Sequence, residues 1–228
     1  MNLIRTCFFY TIFYFWTTIF FIVFSPVKFF SRKFVLKLSK FWTGSVIKLT
    51  KVILKINYQI TGSENIPKQK IFLLVSNHQC AWETFFYSFF FNNSIFILKK
   101  ELKKVPLMSR YFKKLGFIFI ERDKGFKSIK HIINSIKLVK RKGVKVIIIF
   151  PEGTRTPVNE NGKINTGAFA IHKILKIPLL VVKHNAGKYW RNKKFIKLPG
   201  TIQMRIFPLI ERAESKEFFI KKIEKLFY

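Results

Sequence analysis

The sequence predicts an α/β domain with a mixed sheet flanked by helices, preceded by an N-terminal membrane-associated helical segment. Three features indicate this class: an uncharged apolar stretch from residue 7, an amphipathic basic stretch after it, and short apolar runs that alternate with helix-like stretches from residue 56. The 228 residues and 49% hydrophobic content suffice for one core but are short for two. We therefore divide the chain into a membrane anchor with a basic helical region, residues 1–55, and one domain, residues 56–228.

The apolar stretch from Cys7 to Phe24 contains 18 residues without a charge. As a helix it would be about 27 Å long, close to the thickness of the bilayer hydrocarbon. It either spans the membrane or enters one leaflet; a cleaved signal peptide is disfavoured because Ser25-Pro26-Val27 lacks a small-x-small cleavage site. Only Arg5 precedes the stretch, whereas five basic residues follow it within residues 28–40, so the positive-inside rule places the remaining chain in the cytoplasm.

The stretch from Lys28 to Ile56 is amphipathic. Its apolar residues recur at steps of three to five with lysines between them, which predicts one helix or a helix pair that Gly44 and Ser45 can bend. The basic face lies beside the membrane segment and can contact anionic headgroups. Packing of the helix onto the soluble core is the alternative, and the pattern alone does not separate the two.

Beyond residue 56 the periodicity changes to that of strands. Seven short apolar or alternating runs are separated by turn residues and helix-like stretches. The clearest helix is predicted from Phe126 to Arg141, because its apolar residues share one face and its lysines the other. The predicted strands are Ile56 to Ile60, Ile71 to Val75, Ile95 to Leu98, Phe117 to Ile120, Val144 to Phe150, Ile177 to Val182 and Thr201 to Ile206.

The net charge of +32, from 43 basic and 11 acidic residues, favours polyanionic partners. Only nine of the basic residues are arginine, and we attribute part of the excess to an A/T-biased coding sequence. A membrane-tethered nucleic-acid-binding protein is the alternative that the charge suggests, but the sequence has no recognisable nucleic-acid-binding signature, so we predict no nucleic-acid partner. Two cysteines, Cys7 and Cys80, cannot form a disulfide scaffold, and no Cys/His spacing indicates a metal site.

The first candidate site lies in the loop after the strand Ile71 to Val75. If His78 precedes the next helix and Glu83 lies in its first turns, a strand-to-helix turn can bring the two side chains together. The Glu83 carboxylate would then accept the Nδ1 proton of His78, which leaves Nε2 free to take a proton from a substrate hydroxyl. The alternatives are a capping or surface role for the pair, and a Cys/His pair that uses Cys80.

A second candidate site follows the strand Val144 to Phe150. Gly153 lets the backbone approach a ligand closely, Thr154 offers a hydroxyl, and Arg155 has the planar fork that suits phosphate, so this loop resembles an anion cradle. An ordinary turn with a solvated arginine is the alternative. Arg122, at the end of another strand, either faces the same cleft or forms a surface salt bridge with a neighbouring acid.

The order of four blocks is more specific than any one of them. A His-x4-acid motif, Gly-x-x-Phe-Ile-x-Arg, Phe-Pro-Glu-Gly-Thr-Arg and the hydrophobic Ile177-Pro178-Leu179-Leu180 follow one another within residues 57 to 210. In this order they closely resemble the glycerolipid acyltransferases, and most of all the bacterial 1-acyl-sn-glycerol-3-phosphate acyltransferases. An N-terminal membrane helix is also usual for that family.

The resemblance implies transfer of a fatty acyl group from acyl-CoA or acyl carrier protein to the sn-2 hydroxyl of lysophosphatidic acid, giving phosphatidic acid for phospholipid biosynthesis. The thioester is a co-substrate, no further cofactor or metal is implied, and the enzyme would work among the phospholipids of the inner membrane, from its cytoplasmic side. His78 would be the general base and Glu83 its orienting partner. The acceptor-binding positions implied are Lys100, Arg122, Glu152, Gly153, Thr154 and Arg155. Another lysophospholipid or glycerol-3-phosphate stays open as the acceptor, as do the donor and the acyl length.

Within this implied site the arginines would hold the phosphate, and Glu152 the glycerol region if a nearby cation offsets its repulsion. Glu83 stands where Asp is usual in the family, so its reach to His78 requires a small adjustment. Val181 and Val182 stand where a second proline is frequent. Five phenylalanines after the catalytic motif form either a wall for the acyl chain or a buried helix face, and the second is favoured. They are Phe85, Phe86, Phe89, Phe90 and Phe91.

Overall fold

The computed structural model describes residues 1–121 and 125–228. Helix α1 (Asn2–Val23) is followed by a short 3₁₀ turn (Val27–Phe29) and helix α2 (Arg32–Val52). The Ser31 hydroxyl caps α2, because it accepts a hydrogen bond of 3.2 Å from the Phe34 amide. The predicted amphipathic stretch is therefore mostly one helix with a defined start.

After α2 the chain forms a seven-stranded sheet with helices on both faces. The strands are β1 (Ile56–Thr61), β2 (Phe72–Ser76), β3 (Ser94–Lys99), β4 (Ile118–Ile120), β5 (Val146–Ile149), β6 (Leu179–His184) and β7 (Gly200–Ile206). The helices are α3 (Trp82–Phe90), α4 (Met108–Leu115), α5 (Gly125–Lys140), α6 (Gly167–Leu175) and α7 (Lys216–Phe227). The strand order is β1-β7-β6-β2-β5-β3-β4, and every neighbouring pair is parallel except β6 with β7. The predicted α/β class with a mixed sheet is confirmed.

Gly44 and Ser45 do not bend α2, which runs unbroken through both positions. A Cβ atom at Gly44 would lie 2.9 Å from Cδ2 of Phe89 on α3. Glycine therefore allows α2 and α3 to pack closely, and the predicted bend is wrong. A glycine inside a helix costs only about 1 kcal/mol relative to alanine, so the close packing can outweigh it.

The sheet buries side chains on both of its faces, as parallel sheets covered by helices do. On β2, Leu74 faces a layer that includes α2 and α3, while its neighbour Leu73 faces a layer that includes α5, α6 and α7. Trp82 of α3 and Phe219 of α7 are almost completely buried in these two layers. The carboxyl ends of β2 and β5 are thus held side by side, and the loops of both candidate sites start there.

Helix α1 packs along α2 and the domain. Phe20 and Phe21 contact Trp42 of α2. Tyr111 of α4 packs on the same two phenylalanines, and its hydroxyl donates a hydrogen bond of 2.7 Å to the Phe24 carbonyl. Within residues 1–121 and 125–228, α1 is the one helix long and apolar enough to cross a membrane, and only 22% of its most apolar window is buried. Phe8, Phe15 and Ile22 are among its exposed apolar side chains.

Candidate active site

His78 and Glu83 meet at the strand-to-helix turn between β2 and α3. Nδ1 of His78 lies 2.8 Å from Oε1 of Glu83. The same oxygen accepts hydrogen bonds from the backbone amides of Gln79, at 2.9 Å, and Cys80, at 2.8 Å. One carboxylate therefore holds both the backbone of the loop before α3 and the imidazole, whereas the start of α3 itself has no side-chain cap.

The charge of Glu83 is stabilised although its side chain is fully buried. Burial alone would raise the pKa of this carboxyl, but the hydrogen bond from His78, the electrostatic influence of His184 and His78, and the Cys80 thiol together lower it to about 2. An ionised Glu83 accepts the proton on Nδ1, so the lone pair of the imidazole is on Nε2. The ring of Phe150 stacks on His78 at 4.1 Å and fixes its plane. The pair thus has the geometry of an oriented general base.

Cys80 does not have the environment of a nucleophile. Its thiol is fully buried and donates a hydrogen bond of 2.8 Å to Oε2 of Glu83. Burial, followed by the adjacent Glu83 charge, raises the pKa of the Cys80 thiol well above its usual value, so the reactive thiolate is suppressed. The geometry therefore disfavours the Cys/His alternative.

Glu152 has contacts different from those expected of an acceptor-binding residue. It is only 6% exposed, and its Oε2 accepts a hydrogen bond of 2.8 Å from the backbone amide of His78. Its Oε1 accepts a second hydrogen bond of 2.8 Å from the Tyr228 hydroxyl. Burial raises the pKa of the Glu152 carboxyl, while these hydrogen bonds oppose the rise. Glu152 thus holds the backbone that carries His78.

Gly153, Thr154 and Arg155 line a cavity of about 970 Å³ that His78 also lines. Gly153 has a φ of +74°, a left-handed conformation that favours glycine. Nη1 of Arg155 donates a hydrogen bond of 3.2 Å to Oδ1 of Asn192 and otherwise remains largely exposed. The structure therefore brings the predicted base and the predicted anion cradle to one cavity.

The far side of this cavity is apolar. Helices α1, α2, α3 and α4 all contribute to it, so it extends from His78 to the packed N-terminal helices. Its apolar lining includes Phe20, Phe21, Trp42, Phe85, Tyr111 and Leu115. Of the five phenylalanines proposed as an acyl wall, Phe85 lines the cavity, whereas Phe86 and Phe91 are buried in the core. For those two residues the buried-face interpretation describes the observed positions.

Two of the predicted acceptor-binding positions, Arg122 and Lys100, are not among the described residues that line the cavity. Arg122 lies outside the described residues. Lys100 forms an ion pair with Glu121, and its neighbour Lys99 is the lysine of this turn that lines the cavity. Across the described ranges, 1–121 and 125–228, no group of three or more His, Cys, Asp and Glu side chains is placed to hold a metal ion.

Sequence reasoning missed three side chains that organise the site. Tyr228 binds Glu152, and Asn192 binds Arg155. The third is Asn77. Its side-chain amide donates a hydrogen bond of 2.8 Å to the His184 carbonyl and accepts one of 3.0 Å from the His184 amide, which joins the ends of β2 and β6. These contacts join residues that lie 37 to 107 positions apart, so no local motif contained a signal for them.

Comparison with known proteins agrees with this geometry. The Acyltransferase family model matches residues 57–184, more than half of the chain. This chain belongs to the Acyltransferase family. The acyltransferase is 40% identical to the 1-acyl-sn-glycerol-3-phosphate acyltransferase of Pseudomonas aeruginosa over 167 residues, which cover 73% of this chain and 64% of that protein. The match thus spans less than two thirds of that relative.

In two further comparisons the match covers a larger share of the other protein's length. The acyltransferase is 27% identical to the protein of the same name from Borreliella burgdorferi, over 80% of this chain and 73% of that protein. Its fold matches the crystal structure of the 1-acyl-sn-glycerophosphate (LPA) acyltransferase PlsC from Thermotoga maritima, with a TM-score of 0.79 and 25% identity. That match covers 99% of this chain and 94% of the other. The family resemblance predicted from the four sequence blocks is confirmed.

Proposed function

We propose that this acyltransferase moves a fatty acyl group from a thioester, acyl-CoA or acyl carrier protein, to the sn-2 hydroxyl of lysophosphatidic acid. The observation that carries the proposal is the shared cavity: an oriented His78, the Arg155 cradle and an apolar wall open into one space. A lysophospholipid with a phosphate headgroup needs all three. The names of the Pseudomonas and Borreliella relatives support the same acceptor.

The chemistry follows from the His78 and Glu83 geometry. Nε2 of His78 takes the proton of the sn-2 hydroxyl as its oxygen bonds to the thioester carbonyl carbon. The tetrahedral intermediate collapses with cleavage of the carbon–sulfur bond, and the departing thiolate takes the proton back from His78. Glu83 stabilises the transient imidazolium. The acyl group passes directly to the acceptor, so no acyl-enzyme forms.

The phosphate of the acceptor would bind at the polar end of the cavity. Thr154 and Arg155 offer a hydroxyl and a guanidinium fork there. Thr166 and Gly167, at the start of α6, line the same cavity, and the N-terminus of a helix attracts anions. This arrangement separates the charged headgroup from the apolar wall, which suits an amphipathic substrate.

Arg155→Ala is expected to raise KM for lysophosphatidic acid about 10- to 100-fold, because a hydrogen bond to a charged group contributes about 1.5–3 kcal/mol. Arg155→Lys should recover part of the loss, since lysine keeps the charge but not the fork. Steady-state kinetics with both substrates measures this. Arg141→Ala, at an exposed position beyond α5, is the matched control. An unchanged acceptor KM in Arg155→Ala would remove the phosphate role.

We infer that α1 enters one leaflet of the inner membrane from its cytoplasmic side. Near its start, the Thr6 hydroxyl accepts a hydrogen bond of 3.1 Å from the Lys197 amide, and Phe9 packs edge-on against Trp190. Beyond its end, the Phe24 carbonyl is bound by Tyr111. Both ends are therefore tied to the folded domain, so α1 lies along its surface with its exposed face available to lipid.

Replacing Phe8 and Phe15 with serine tests this placement, because the two side chains are 57% and 68% exposed on α1. Each buried phenylalanine contributes about 1.5–3 kcal/mol, so the pair should weaken vesicle binding at least tenfold. Co-sedimentation with phosphatidylglycerol–phosphatidylethanolamine vesicles measures the partition coefficient. Phe218→Ser, at a 41% exposed site on α7, controls for the loss of a surface phenylalanine. Equal losses in both proteins would argue against a specific α1 surface.

The proposed reaction is tested by offering the wild-type protein labelled acyl-CoA and acyl carrier protein with lysophosphatidic acid. Formation of phosphatidic acid with either donor supports the proposal, and the preferred thioester identifies the donor. Lysophosphatidylcholine, lysophosphatidylethanolamine and glycerol-3-phosphate are offered in parallel. Acylation of one of these instead of lysophosphatidic acid would keep the reaction class and replace the acceptor.

A further inference from the structure

Tyr228, at the carboxyl end of α7, binds a residue of the candidate active site. Its hydroxyl lies 2.8 Å from Oε1 of Glu152 and accepts a hydrogen bond of 2.6 Å from the Gly162 amide. The Gly162 carbonyl lies 3.2 Å from the same hydroxyl and is the competing acceptor. The hydroxyl hydrogen goes to Glu152, because a carboxylate is the stronger acceptor. A helix on the face of the sheet opposite α3 thus reaches the active-site loop.

Glu152 transmits this contact to the backbone of His78. Its second oxygen, Oε2, accepts the hydrogen bond of 2.8 Å from the His78 amide. The His78 carbonyl accepts a hydrogen bond of 2.8 Å from the Thr156 amide, so residues of the same loop hold the His78 backbone on both sides. Glu83 and Phe150 fix the imidazole itself. Glu152 is therefore one of the groups that set the position of Nε2.

We propose that Tyr228 is a positioning residue for His78, acting through Glu152. The inference rests on the proposed acyl transfer, because it assigns His78 the role of base. Without the Tyr228 hydroxyl, the buried Glu152 carboxylate loses one of its donors, and it then rotates towards the Thr156 hydroxyl or takes up a proton. Either response weakens the hydrogen bond to the His78 amide. The base then shifts relative to the substrate hydroxyl, and small displacements of a reacting group are costly.

The surroundings keep Tyr228 a donor. Burial, followed by the hydrogen bond to the Glu152 carboxylate, raises the pKa of the Tyr228 hydroxyl, so it stays protonated at working pH. The titratable groups facing Glu152 are His78 on one side and Tyr228 on the other, and the Thr156 hydroxyl also binds it. Because Glu152 is only 6% exposed, water does not readily replace a lost donor.

The full-length Tyr228→Phe protein is compared with wild type in the acyl-transfer assay. We expect kcat to fall roughly tenfold with the KM values of both substrates unchanged, since the base is displaced but the binding groups are not. Hydrogen exchange at the His78 amide should become faster, which is a readout independent of turnover. Tyr58→Phe, on β1 and outside the lining of the cavity, removes a hydroxyl elsewhere and should match wild type.

A double-mutant cycle with Glu152→Gln tests whether Tyr228 acts on His78 through Glu152. The glutamine oxygen can still accept from the His78 amide while its NH₂ group donates to the Tyr228 oxygen, so this variant keeps both contacts in weaker form. If Tyr228 acts through Glu152, adding Tyr228→Phe to Glu152→Gln should cost less than the tenfold seen alone. Multiplied losses would show that Tyr228 acts by another route.

The outcomes distinguish a failure of the positioning role of Tyr228 from a failure of the proposed acyl transfer. Wild-type kcat together with wild-type exchange of the His78 amide in Tyr228→Phe would overturn the positioning role. If Tyr228→Phe does not fold, as judged by thermal unfolding, Glu152→Ala, which removes both contacts, carries the test, and wild-type kcat in that protein would overturn the role equally. A wild-type protein that makes no acylated product refutes the proposed function, yet the exchange measurement still reports whether Tyr228 and Glu152 hold His78.

Discussion

His78→Ala is expected to lower kcat for acyl transfer about 10²- to 10⁴-fold, the contribution of a positioned general base. Nε2 is the basic atom that opens on the cavity, because Nδ1 is committed to Glu83 at 2.8 Å. The acceptor KM should change little, since Arg155 and Thr154 are untouched. The measurement is steady-state formation of phosphatidic acid by purified protein in vesicles.

His131→Ala is the matched control for that experiment. His131 lies on the exposed side of α5, so its loss should leave turnover at the wild-type level. Thermal unfolding of all three proteins separates a chemical effect from a folding effect. Turnover by His78→Ala equal to wild type would exclude His78 as the base and, with it, the proposed mechanism.

Glu83→Gln is expected to lower kcat about 10- to 100-fold, less than the roughly 10⁴-fold seen when an acid–base triad loses its charge and adopts the wrong imidazole tautomer. The smaller loss follows from the geometry. The amides of Gln79 and Cys80 also point at Oε1, so the oxygen of glutamine must occupy that position and keep the proton on Nδ1. Only the charge facing the imidazolium is lost.

Glu83→Ala should add a loss of stability to the loss of activity. It leaves two buried amides without an acceptor, at about 1–3 kcal/mol each in the free energy of unfolding.

The pKa of Glu83 is lowered to about 2 from a reference of 4.5, so its carboxylate stabilises the fold above pH 4.5 and this contribution disappears as pH falls towards 2. Urea unfolding at several pH values measures the difference, with Glu64→Gln as the exposed control. A stability difference that grows on acidification would contradict this account.

The strands could be predicted because each is a short apolar run that stays buried. Phe72 to Val75 is fully buried on both faces, and its sequence contains that information locally. The strand order could not be predicted in the same way. β7 lies between β1 and β6 through pairings such as Ile56 with Gly200, which join residues distant in sequence. The bend at Gly44 failed because the reason for that glycine is Phe89, on another helix.

In the candidate site, too, contacts between residues close in sequence could be predicted and contacts between distant residues could not. His78 and Glu83 could be paired from sequence because five positions separate them and one turn joins them. The environment of Glu152 could not be predicted, since its partners His78 and Tyr228 lie 74 and 76 positions away. Motif reading treats an acid beside an anion cradle as a ligand contact. In the structure both oxygens of Glu152 have protein donors, and the acceptor-binding role of Glu152 stays a prediction.

Phe9 of α1 belongs to the same buried cluster as Trp82, Ile148 and Trp190. Helix α1 therefore supplies part of the interior of the fold, and residues 1–55 share a core with residues 56–228. Removing α1 would expose buried apolar surface to water, so α1 is an integral part of the fold. If α1 enters one leaflet as proposed, folding and membrane partitioning become linked equilibria, because lipid that holds α1 against the domain also stabilises the domain.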